Sequence, residues 1–153
     1  MGKSPGAGPF AYLDVKLDVD TSTPISGVWL PGIFPDTIDD QGNDIIERVS
    51  GQDGQFRVLR DGFYEVRFQV GVLEAAGDRE YNGLRVLVNG NPVPGMERVH
   101  YIHAQPPPSS ACIEGSVRLV EGDIISTEVI SYIDTNTYLE SHSRLEIRLL
   151  HLL

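Results

Sequence analysis

Cysteine is almost absent: Cys112 is the single one among 153 residues. No intrachain disulfide and no cysteine-based metal cluster can therefore form. Set in the run SACIEGSVRL, Cys112 is expected to be a small buried hydrophobe. Long apolar runs are missing as well. No segment approaches the roughly 20 residues that a membrane-spanning helix needs, and residues 1–20 contain no apolar stretch of an export signal. The Met1-Gly2 start does not complete a myristoylation pattern, because Gly6 stands where serine or threonine is required. A soluble protein made inside the cell is the expectation. Helical periodicity is lacking too. Basic residues are scarce: 12 lysines and arginines face 22 acidic residues, for a net charge of −10. Such a chain repels phosphate backbones and anionic bilayers, so neither nucleic acid nor a membrane is an expected partner. The charge suits solubility first, and then a basic partner or hard cations.

What is present is β structure. The hydrophobic fraction of 41% supports a core, and 16 glycines and 10 prolines fall between the apolar runs, as in an all-β domain with many turns. Residues 1–9, MGKSPGAGP, read as a flexible N-terminal arm, and residues 10–153 as one domain. From Tyr64 the chain alternates without a slip: Tyr64, Val66, Phe68, Val70 and Val72 fall on one face, and Phe63, Glu65, Arg67 and Gln69 on the other. Asp61-Gly62 is expected to supply a tight turn ahead of this strand, with glycine taking a positive φ.

The same alternation places Leu13, Val15, Leu17 and Val19 together near the start. Residues 21–44 form a long connection with Pro24, Pro31 and Pro35, of the kind that carries short strands or function. Two brief strands around Asp53-Gly54 follow, over residues 45–49 and 55–59. Asn89-Gly90 is a strong hairpin signal after residues 83–88. Strands are expected over 99–104, 111–120, 123–133 and 138–153, with Pro106, Pro107 and Pro108 in a loop and Glu121-Gly122-Asp123 in a turn. About ten strands result.

Catalytic signatures are not visible: no nucleophile elbow, phosphate loop, dinucleotide fingerprint or zinc pattern occurs. His100 and His103 lie three apart on an expected strand and so face opposite ways. His142 and His151 have no identifiable partners. The segment from Asp36 to Asp44 alternates carboxylate and amide oxygens around Gly42, which gives Asp36, Asp39, Asp40 and Asp44 weak calcium-ligand character. Its spacing departs from an EF-hand, and a solvated polar turn is the plainer reading. No cofactor is expected apart from such a calcium ion.

The order of motifs resembles the tumour necrosis factor and complement globular-head superfamily. Phe56, Gly62, Tyr64 and Phe68 match, as do Val86 to Gly90, Gly115 to Leu119 with Gly122-Asp123, and the leucine-rich end from Leu145 to Leu153. The resemblance spans residues 10–153. It implies a ten-strand jelly-roll sandwich, TNF-like, that assembles as a homotrimer. In such a fold the first, third and last long strands share a sheet, so Tyr12, Phe63, Leu150 and Leu152 become candidates for the trimer interface. The chain has no collagen-like stalk, and Ser141 to Arg144 replace the aromatic pattern of complement heads. Free-standing trimers of this shape also resemble phage decoration (cement) proteins. The leading expectation is thus a non-enzymatic structural protein on a virion, with the major capsid protein as partner. The alternative is an extracellular recognition module, a fibre head or complement-head-like domain, whose loops 21–44 and 74–82 bind a glycan or cell-surface receptor.

Overall fold

The computed structural model describes residues 11–16, 21–22, 27–41, 44–74, 80–102, 109–131, 136–138 and 143–153. The N-terminal arm (1–9), Leu17 and Val19, the Pro106–Pro108 stretch, His103 and His142 lie outside the described residues. In chain order the first strands are β1 (Tyr12–Lys16), β2 (Thr21–Ser22), β3 (Leu30–Pro31), β4 (Asp36–Asp40) and β5 (Ile46–Arg48). Then come β6 (Phe56–Val58), β7 (Gly62–Glu74), β8 (Glu80–Val88) and β9 (Asn91–Ile102). The last are β10 (Ser109–Leu119), β11 (Ile124–Ser131), β12 (Asn136–Tyr138) and β13 (Arg144–Leu152).

These strands build two antiparallel sheets. In the first, β7 is the axis. It pairs with β10 along one side and with β13 and then β12 along the other, and the sheet continues through β1 to β4. The second runs β5-β6-β11-β8-β9, with β3 also on β11. This is the all-β jelly-roll sandwich that the resemblance implied. The additional pieces beyond ten are two- and three-residue strands within the long connections.

The alternation on β7 is as expected. Tyr64, Val66, Phe68 and Val70 are buried, while Phe63 and Arg67 are exposed. They pack against Phe34, Phe56, Leu84, Val86 and Ile125 from the opposite side of the core. Phe34 meets Phe68 edge to face, with ring centroids 5.8 Å apart. Burial of such side chains contributes roughly 25 cal/mol for each Å² removed from water.

Several turn readings are corrected. Asp61-Gly62 does not close a hairpin, because β6 and β7 belong to different sheets and the chain crosses the sandwich here. Gly62 lies inside β7 without a positive φ; it is needed because a Cβ there would meet the His151 carbonyl oxygen at 2.7 Å. The Tyr64 hydroxyl fixes this crossing by donating to the Arg60 carbonyl at 2.6 Å, and burial pushes its pKa up to about 12. In the β5–β6 hairpin the positive φ falls on Gly51, not Gly54. Asn89-Gly90 behaves as read: both residues have positive φ and β8 pairs directly with β9. The strand expected over 99–104 starts earlier, at Asn91, and the one over 138–153 is divided into β12 and β13. β9 tolerates Pro92 and Pro94 because it is the last strand in its sheet's order.

Candidate interaction site

The outward face of the first sheet is a lattice of charge. Strand register sets Asp14 opposite Glu146, Glu146 opposite Arg67, and Arg67 opposite Glu114. Arg144 reaches both Asp14 (2.5 Å) and Glu146 (2.8 Å), and Arg148 pairs with Glu65. Asp14 is buried in this row. Desolvation raises its pKa, against the opposing pull of the Arg144 charge.

The four interface candidates are distributed unevenly over that face. Phe63 and Leu150 are 40% and 41% exposed, and the same end of the sheet carries Val120 and Leu153, also exposed. Tyr12 lies apart from them. It stands opposite Arg148, whose ion pair with Glu65 intervenes before the Phe63 row. Its hydroxyl donates to Asp39 at 2.5 Å. That bond raises the tyrosine pKa and lowers the aspartate's. Leu152 is corrected: it packs against the core. The pairing of β13 with β7 skips Leu150 in a bulge, which reverses the inside–outside parity after it. The expected parity therefore held as far as Leu150 and failed at Leu152.

The four calcium candidates do not converge. Asp36 to Asp40 form β4 rather than a turn, because they hydrogen-bond along β1. Asp36 faces Lys16 at 3.7 Å, and Asp39 accepts from Tyr12 and Gln41. Asp44 is exposed beyond the strand. Among the described residues no group of three or more histidine, cysteine or acidic side chains could hold a metal ion. His151 is exposed on β13, and His100 lies on β9. Cys112 is corrected as well. It is half-buried on the charged face, where its Sγ accepts from Arg67 Nε at 3.2 Å, because the neighbours Ala111 and Ile113 take the inward positions.

The second sheet carries a feature that sequence reasoning missed. A cavity of about 440 Å³ opens to solvent beside β11. Three glycines from distant segments, Gly32, Gly54 and Gly90, line it. A Cβ on Gly54 would fall 2.1 Å from the Gly32 carbonyl oxygen, and one on Gly32 would fall 2.1 Å from Thr127 Oγ1. Backbone therefore approaches backbone as only glycine permits. Thr127 is 1% exposed, its side chain turns with Ile125 and Val129 to the core face of β11, and its Oγ1 has no hydrogen-bond partner. Ser126, on the outer face, lines the cavity, and Pro31, Ile33 and Leu87 give an apolar wall. Asp53 and Glu128 also line the cavity, which has no lysine, arginine or histidine among its lining residues. The available signal was Gly32, which no expected turn used; Gly54 belongs to the expected Asp53-Gly54 turn.

Solved structures share this architecture. Murine APRIL at pH 5.0 superposes with a TM-score of 0.65 at 16% identity, covering 92% of this chain and 99% of that one. Rabbit GITRL gives a TM-score of 0.53 at 14% identity, covering 92% and 93%. The likeness shows the fold, a TNF-like jelly roll. No family model matches the sequence, and no curated protein matches it. No helix among the described residues is long and apolar enough to cross a membrane.

Proposed function

We propose that this chain is a non-enzymatic recognition module that works outside the cell as a homotrimer and binds a glycan or cell-surface receptor. The observation that carries the reading is the TNF-like jelly roll over 92% of the chain. In the superfamily that the sequence resembles, this fold goes with trimeric assembly. Exposed Phe63, Leu150, Val120 and Leu153 gather at one end of the first sheet, and they supply apolar surface for such an association. Three copies would present three equal binding surfaces, so weak single contacts would add up. The virion location and capsid partner expected from the sequence find no support in the described surface or in the structural likeness.

Light scattering after gel filtration tests the assembly. The expected mass is three times the 16.8 kDa chain. The double substitution Phe63→Asp with Leu150→Asp is expected to lower it to one chain while the thermal transition persists. A monomeric wild-type chain, or a trimer indifferent to both substitutions, would overturn the assembly reading.

A further inference from the structure

We propose that Asn89-Gly90 is a site of spontaneous covalent modification, at which Asn89 loses its side-chain amide, and that Asp123 on the neighbouring turn restrains the loss. The chemistry belongs to the dipeptide. A glycine after asparagine leaves its backbone nitrogen unshielded, because no Cβ stands beside it. Deprotonated by hydroxide, the Gly90 nitrogen attacks Asn89 Cγ. The Cγ–Nδ2 bond breaks, and Nδ2 takes a proton from water and leaves as ammonia. One water molecule then opens the five-membered imide. Cleavage at Cγ gives aspartate, and cleavage at the main-chain carbonyl gives isoaspartate, whose backbone is one carbon longer.

The fold offers the reaction this dipeptide and denies it another. Asn89 and Gly90 are both exposed at the tip of the β8–β9 hairpin, and a Cβ on Gly90 would meet nothing within 4 Å. Water reaches the turn, and the imide has room. Asn82-Gly83 is the same pair inside β8, held in the ladder between β9 and β11. Asn82 is 0% exposed, and a Cβ on Gly83 would fall 2.7 Å from Ile130 Cγ2. No imide fits there unless the strand opens.

At the exposed pair the restraint is a clasp between two turns. Asn89 Nδ2 donates to Asp123 Oδ1 at 2.8 Å, and Ile124 N–H donates to Asn89 Oδ1 at 2.9 Å. The Asn89 N–H donates in turn to the Ile124 carbonyl at 2.8 Å. Attack makes Cγ tetrahedral and expels Nδ2, so both side-chain bonds must open first. The Asp123 charge also disfavours an anionic Gly90 nitrogen. After the reaction the clasp works against itself. A carboxylate replaces the amide that faced Asp123, and like charges at hydrogen-bond distance repel. Asp123 also accepts from the Val120 N–H at 2.9 Å, so the disturbance reaches the turn that carries exposed Val120.

This inference goes beyond the recognition reading and does not rest on it. The test incubates the folded full chain in mildly alkaline buffer and follows Asn89 and Asn82 by peptide mapping with mass spectrometry. Aspartate and isoaspartate are expected to accumulate at Asn89 while Asn82 stays intact; in urea both are expected to react. Asp123→Ala is expected to speed the loss at Asn89 about tenfold, the factor that a lost charge-assisted hydrogen bond produces, with Asn82 unchanged. Asp123→Asn, which keeps an acceptor, is expected to fall between. Asn89→Asp, the product made directly, is expected to lower the melting temperature, and Asp123→Asn in that background to recover part of it. A folded chain that keeps its Asn89 amide would overturn the proposal. So would an Asp123→Ala rate equal to that of the parent, an acceleration shared equally by Asn82, or an Asn89→Asp chain as stable as the parent.

Discussion

The two sheets are alike inside and different outside. Both inner faces are apolar and fill one core. Outside, the first sheet displays long strands whose charged residues pair across strands, so that most of its polar groups answer one another. The second is overlaid by the segment around Trp29 and Gly32, and its outer surface is made of backbone approach, a stacked Arg85 and a cavity. Strand rows bring charged side chains into register, whereas three distant segments meeting edge-on leave a space between them.

The largest break in that contrast should come from Phe34→Ala. Phe34 is 2% exposed and carries the overlying segment into the core against Phe68. Its removal is expected to cost about 3–5 kcal/mol in urea unfolding. A loss below about 1 kcal/mol would make the segment a mere appendage of the second sheet. Gly54→Ala sharpens the contrast further. Its new Cβ would collide with the Gly32 carbonyl oxygen, and about 1–3 kcal/mol of destabilisation is expected. Gly51→Ala, in the same loop with open space around it, should cost less, since only its positive φ is affected.

The smallest effect is a pH dependence confined to the first sheet. Hydrogen bonding from Tyr12 holds Asp39 below the ordinary 3.8. Its contribution is therefore present above that value and lost as the pH falls through the lower folded value. Tyr12 is held above the ordinary 10.0, so its contribution is present below that pH and lost as the pH rises through the folded value. Asp14 acts in the opposite sense to Asp39. Its raised pKa means that the folded state takes up a proton first, so its contribution improves as the pH falls through the folded value toward 3.8. Melting temperatures across pH for Asp39→Asn should lose the acid limb below 3.8, and Asp14→Asn should lose the gain above it. Identical profiles for both variants would remove the distinction between the two aspartates.

Legibility followed the same division. The charged face could be read because a strand's period of two is local: Phe63, Glu65 and Arg67 announce their side from the chain alone. Cys112 was misplaced by residue type although its parity with Ala111 and Ile113 pointed outward. Leu152 was misplaced because a bulge leaves no mark in an apolar run. The cavity escaped altogether. Its walls come from residues separated by many positions, and a glycine needed for close approach looks, in sequence, like a glycine needed for a turn. Gly62 shows the same ambiguity.

The first and last strands described lie side by side and antiparallel, Tyr12 opposite Arg148 and Lys16 opposite Arg144. Leu149 N–H also donates to the Ala11 carbonyl at 2.9 Å, so Ala11 enters where the chain leaves β13. A load pulling on these two points would act along the hydrogen bonds rather than across them. The bonds would open singly, like a zip, and not shear together. Mechanically the domain is weak along that line. A tether at both points would unfold it from this pair of strands first.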